Sequence, residues 1–154
     1  MVLFAGGVGI THQVPYIRSL LSGAASSEAA CRRMLLVWII QSPEHLEWIR
    51  PWMTQILAME GRRDILRIQL YITRPRLDGP GGGQHEMRSP STTVQLFPGR
   101  PDVEALVESE VRGQVGAMAV SVCGPGLLAD RVRGAVRSRQ HLGNVDYVEE
   151  AFSW

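Results

Sequence analysis

The sequence contains no lysine; all 16 of its basic residues are arginine, which reads as a coding bias until a site argues otherwise. The absence excludes a lysine Schiff base and the phosphate-holding lysine of a Walker loop. Cysteine is nearly absent too. Cys31 and Cys123 cannot build a disulfide framework and lack the spacing of zinc ligands, and His12, His45, His85 and His141 are scattered as solvated or half-buried structural residues, so no metal site is expected. The longest fully apolar run, Met34–Ile40, falls far short of the roughly 20 residues that a membrane helix needs, so no direct membrane insertion is expected. A net charge of +1 gives no bulk attraction to nucleic acid or anionic lipid. No basic leader with a cleavage site follows Met1, so the chain does not read as a secretory precursor. Its 154 residues suffice for one ordinary domain with its own core.

What the sequence does have is a repeated alternation of apolar runs, glycine turns and amphipathic stretches. Residues 2–5 read as a short buried strand, and apolar positions 14, 17, 20 and 21 have helical spacing. The run MLLVWII at Met34–Ile40 has the length and composition of a central parallel strand covered on both faces. Ser42 and Pro43 then suit an N-cap and a first helical position. Ile49, Trp52, Met53, Ile56 and Leu57 should form one apolar stripe, with Pro51 kinking or restarting the helix and Gly61 ending it. Residues 65–73 alternate in polarity, which predicts a strand with a wetter face, at an edge of the sheet. From about residue 74 to 92 the pattern dissolves into DGPGGGQ and three prolines, and a mobile loop is expected. Strands at 93–97 and 116–122, helices at 102–111 and after Gly126, and an alternating end at 145–154 complete the chain, without internal repeats. This succession argues an α/β fold, a doubly wound parallel sheet of about five strands.

In such a sheet, ligands bind outside the carboxyl ends of the strands. One rim therefore carries Gly6, Gly7, Gly9, Ile10 and Thr11, then Gln41 and Ser42, then Gly99, Arg100 and Pro101, then Cys123, Gly124 and Pro125. Three glycines in four positions before a helix allow a backbone to approach a phosphate closely, or simply make a tight turn. Because His12 occupies a small-residue position, the segment is not a GxGxxG fingerprint. Gln41 at the end of the second strand is either a plain polar strand end or a site permissive for a 2′-phosphate, since no ribose-binding carboxylate is present there. Arg100 within PGRPD is either a solvated charge or a bidentate phosphate partner. Cys123 has no neighbouring histidine and reads as a buried structural thiol rather than a nucleophile. The closing EEAFSW is either a frayed edge or an aromatic plate.

Taken in order, AGGVGIT, VWIIQSPEHLEW, LFPGRPD, SVCGPG and VEEAFSW resemble the NAD(P)H-binding half of the ferric reductase and NADPH oxidase family, within the ferredoxin-NADP reductase superfamily. The resemblance is nearest to the fungal ferric reductases and covers the chain except the loop at 74–91. It implies that Gly6, Gly7, Gly9 and Ile10 hold the pyrophosphate of NADPH (or NADH), with Thr11 near the nicotinamide end. It also implies that Arg100 binds the adenosine 2′-phosphate. Many relatives carry arginine at the position of Gln41, which leaves the choice between NADPH and NADH open, and proline at the position of His12. Cys123 would lie beside the nicotinamide C4, Glu150 would position that ring, and Phe152 or Trp154 would cover the flavin, with Phe152 favoured by spacing.

The reaction implied is hydride transfer from NAD(P)H to FAD, followed by single-electron transfer through haem to ferric iron. In the family a flavin-binding domain and haem-bearing membrane helices precede this half; neither is visible in the sequence. The expectation is a single NAD(P)H-binding domain on the cytoplasmic side of a membrane, partnered by the flavin domain of a parent protein and inactive alone. A superoxide-forming oxidase domain and a non-catalytic nucleotide-binding remnant are the alternative readings.

Overall fold

The computed structural model describes residues 1–74 and 93–150, so the expectation of a mobile loop falls largely outside the described residues. Six strands form one sheet: β1 (Val2–Gly6), β2 (Met34–Ile40), β3 (Leu66–Ile72), β4 (Val94–Pro98), β5 (Met118–Cys123) and β6 (Val145–Glu150). Every neighbouring pair is parallel, in the order β4-β3-β2-β1-β5-β6. The doubly wound sheet thus holds six strands where about five were expected. β3 is not the edge strand that its alternation predicted, because β4 pairs outside it through Ile68↔Val94 to Ile72↔Pro98. Its wetter side is accounted for otherwise. Arg67 donates to both carboxylate oxygens of Glu110, at 2.7 and 2.9 Å, and Tyr71 stacks on Phe97 with ring centroids 4.9 Å apart.

Helices cover both faces. On one side α1 (Ile10–Ala25) and α2 (Arg50–Ala58) bring Ile10, Val14, Ile17, Leu21 and Ile56 onto Leu3, Leu36, Trp38, Leu70 and their neighbours. A one-turn helix, α3 (Arg62–Ile65), leads into β3. On the other side α4 (Val103–Arg112) and α5 (Gly126–Arg137) pack Val103, Val107, Val111, Ala129, Val132 and Ala135 onto Phe4, Val37, Val120 and Val122. Strands buried on both faces need apolar residues at every position, which is why β1 and β2 are unbroken apolar runs.

Local chemistry sets the element ends. Ser42 precedes a 3₁₀ turn at Pro43–Ile49 rather than a full α-helix, and its side chain makes no capping bond. Pro51 lies at the start of α2, so the helix restarts there. The expected stripe only partly holds: Ile49 and Ile56 are buried, whereas Trp52 and Leu57 are exposed. Asp102 caps α4, accepting from the Ala105 N–H at 2.9 Å.

Candidate functional site

The strand order reverses at β1. Its chain successor β2 pairs on one side and β5 on the other, so the turns after β1 and β5 meet at the carboxyl edge of the sheet. They meet very closely. A Cβ at Gly6 would stand 2.6 Å from Pro125 Cδ, one at Gly124 would stand 2.9 Å from Gly6 N, and one at Gly9 would stand 2.0 Å from the Cys123 carbonyl oxygen. Gly9 and Gly124 are therefore required by the contact between two backbones. Gly7 differs: its φ is +54°, which favours glycine, and the space where a side chain would stand is empty.

Two side-chain contacts fix this junction from beneath. The Trp38 indole N–H donates to the Gly7 carbonyl at 2.9 Å, tying the first turn to β2. Gln13, fully buried on α1, donates through Nε2 to Phe4 O at 3.3 Å and Ser121 Oγ at 3.1 Å, bridging β1 and β5. Neither was anticipated as part of the site. The helical spacing does point to Gln13, which falls on the inward stripe with Ile10, Val14 and Ile17.

Above the junction opens a cleft of about 700 Å³. Gly6, Gly7 and Val8 line it from the first turn, Gln41, His45 and Trp48 from the end of β2, Thr73 from β3, and Arg100 with Pro101 from β4. Gly124, Pro125, Leu128 and Arg131 close it from the β5 side. Of the sequence-predicted positions, Gly6, Gly7, Gln41, Arg100, Pro101, Gly124 and Pro125 thus come together. Gly9, Ile10, Thr11, Ser42 and Gly99 do not line it. Gly9 supports the turn, the Ile10 side chain is fully buried in the core, and Ser42 and Gly99 flank the rim. Thr11 lines a separate shallow groove with Val14, Pro15, Arg18 and Trp52, its hydroxyl donating to Val8 O at 2.9 Å.

Cys123 is 1% exposed, and burial first, then the charge of Glu150, pushes its thiol pKa up. Glu150 is exposed and pairs with Cys123 in the β5–β6 register. Phe152 and Trp154 lie outside the described residues. Beside Glu150, the Glu149 carboxylate accepts from Tyr147 at 2.7 Å and from Arg133 at 2.7 and 2.9 Å, bonds that hold its pKa below the usual carboxylate range.

Residues that sequence reasoning passed over complete the wall. Trp48 is 52% exposed and stacks on His45 with centroids 4.2 Å apart, and His45 Nδ1 is buried without a hydrogen-bond partner. Arg131 is a second guanidinium at the cleft, whereas among the described residues no carboxylate lines it. Closely approachable glycine backbone, two cationic groups and apolar walls fit a nicotinamide dinucleotide, whose phosphates need the first two and whose rings need the third. Among the described residues, no group of His, Cys, Asp and Glu could hold a metal ion, and no helix is long and apolar enough to cross a membrane.

Comparison with known proteins agrees with this geometry. The chain is 23% identical over its whole length to a Candida albicans protein named "Probable ferric reductase transmembrane component", of which it spans 25%. It is equally similar to the "Ferric/cupric reductase transmembrane component 1" of the same species, spanning 22% of that protein. A 50-residue stretch is 36% identical to a probable cell surface ferric reductase of Aspergillus oryzae, covering 32% of this chain and 7% of the relative. The chain therefore spans about a quarter of the length of the first two relatives. The family of ferric reductase NAD-binding domains matches residues 1–137, and the chain belongs to that family.

Proposed function

We propose that the cleft binds NADPH in preference to NADH and presents it to FAD held by a flavin-binding domain of a larger ferric-chelate reductase. The observation that carries the reading is the meeting of the Gly6 and Gly124 turns under a cleft that also holds Arg100 and has no carboxylate at the end of β2. A bound nicotinamide supplies a hydride, and this chain's residues would position the ring and exclude water from it. The backbone of Gly6 and Gly7 would take the pyrophosphate, with Gly9 keeping the turn in place, and Arg100 would pair with the 2′-phosphate. Cys123 and Glu150 would flank the nicotinamide at the end of β5 and β6. With a raised thiol pKa, Cys123 would contribute a neutral, uncharged wall there rather than a thiolate.

Electrons leaving the flavin would continue to ferric iron through parts of a membrane protein that this chain does not contain. The parent would place the domain on the cytoplasmic side, where NADPH is available. The test is stopped-flow absorbance of an FAD-loaded flavin-binding domain from a ferric reductase, mixed with this chain and NADPH under nitrogen. Bleaching of the flavin that requires the chain supports the proposal. Absence of bleaching with NADPH demonstrably bound would overturn the electron-input role while leaving nucleotide binding intact.

A further inference from the structure

Among the described residues, Arg100 and Arg131 bring two guanidinium groups to the cleft, and Arg100 alone of the two has a sequence context that suggests an anion. Arg131 comes from α5, and its Nη2 donates to Glu104 Oε2 at 3.1 Å. Glu104 lies in the first turn of α4, which starts just after Arg100-Pro101-Asp102, and Arg100 and Arg131 both line the cleft, from different elements.

The contact that holds Arg131 is a weak one. Its partners are 41% and 45% exposed, and it is a single bond in which water competes for both charges. Arg133, two residues on, shows the contrast: it is held by both oxygens of Glu149 and by Asp130, and it does not line the cleft. Asp102, at the start of α4, accepts from the Ala105 N–H. A phosphate monoester carries up to two negative charges and three acceptor oxygens, so it outbids one solvated carboxylate for a guanidinium that is free to swing. Gln41, facing the same space, adds no charge that would oppose this.

We propose that Arg131 is the second phosphate-reading residue of the cleft, exchanging Glu104 for the adenosine 2′-phosphate that Arg100 also meets. Glu104 then acts as a built-in competitor that tempers affinity for the phosphorylated nucleotide. The assignment rests on the cleft being a nicotinamide-nucleotide site.

The experiment is equilibrium titration of the whole chain, and of its Arg131→Gln and Glu104→Gln variants, with adenosine 2′,5′-bisphosphate and with adenosine 5′-monophosphate. Arg131→Gln should weaken the bisphosphate about tenfold, the size of one charge-assisted contact, and leave the monophosphate within about twofold. Glu104→Gln should tighten the bisphosphate about threefold, because the competing ion pair is gone. Thermal midpoints within about 2 °C of the parent chain show that both variants remain folded. Unchanged bisphosphate affinity in Arg131→Gln, equal loss of both probes, or weaker bisphosphate binding in Glu104→Gln each overturns the assignment and leaves the nucleotide site standing. Failure of the parent chain to bind either probe removes the nucleotide site and this assignment with it.

Discussion

The indole N–H of Trp38 donates to the carbonyl oxygen of Gly7, 31 residues earlier in the chain, at 2.9 Å. Trp38 is 2% exposed and the bond is partly buried, and it anchors the glycine turn to the strand beside it. Trp38→Phe keeps most of the apolar volume and removes the donor. It should cost about 1–2 kcal/mol in denaturant unfolding, through the lost bond and the orphaned carbonyl. Nucleotide affinity should fall with it, because Gly7 lines the cleft. An unchanged stability and affinity would show that the turn holds its shape without this tie.

Gly7 and Gly9 should respond very differently to alanine. Gly9→Ala places a methyl group 2.0 Å from the Cys123 carbonyl oxygen, so two strands' ends must separate, and a loss of about 3 kcal/mol or more is expected. Gly7→Ala meets no atom and is opposed only by its φ of +54°, a cost of about 1 kcal/mol. Urea unfolding of both variants checks the order. A larger loss at Gly7 would contradict the interlocked turns.

Tyr147 gives a prediction in alkaline solution. Burial first, then its hydrogen bond to Glu149, pushes its pKa up to about 12. The folded state therefore holds the phenolic proton more tightly than an unfolded chain, where the ordinary value is about 10. Its contribution to stability is complete below about pH 10 and is lost as the pH rises toward 12. Tyrosinate absorbance should show a component titrating near 12 that disappears in Tyr147→Phe, together with this part of the alkaline loss of stability. Retention of that component in the variant would contradict the assignment.

The two thiols should react in sequence. Cys31 is partly exposed, while Cys123 is buried and its raised pKa disfavours the thiolate that attacks alkylating reagents. Mass spectrometry after brief iodoacetamide treatment at neutral pH should find the label on Cys31 first. Labelling of Cys123 first would mean that the end of β5 opens readily.

Much of this fold was legible because its central strands are buried on both faces and so appear as unbroken apolar runs, and because glycine turns mark their ends. Gly6, Arg100 and Gly124 were readable as rim residues for that reason. β3 misled because its polar side is half-buried beside α4, where Glu110 receives Arg67; alternation alone does not distinguish a partly helix-covered polar side from an edge. Gln13, His45, Trp48 and Arg131 were not read as site residues, because their roles arise when the strand order brings residue 6 beside residue 124. The need for glycine at position 9 has the same origin: its obstacle is a carbonyl more than a hundred residues away. Ile10 and Thr11 illustrate the reverse case, where a loop motif named five closely spaced residues and helix rotation turned two side chains elsewhere.

The most direct measurement is calorimetric titration of the chain with NADPH and NADH, repeated with Arg100→Ala. The cleft geometry predicts saturable binding of both, NADPH tighter. Arg100→Ala should weaken NADPH by about 1.5–3 kcal/mol and leave NADH nearly unchanged, as expected for one lost charge-assisted pair to phosphate. Equal weakening of both nucleotides, or binding of neither by the parent chain, would contradict it.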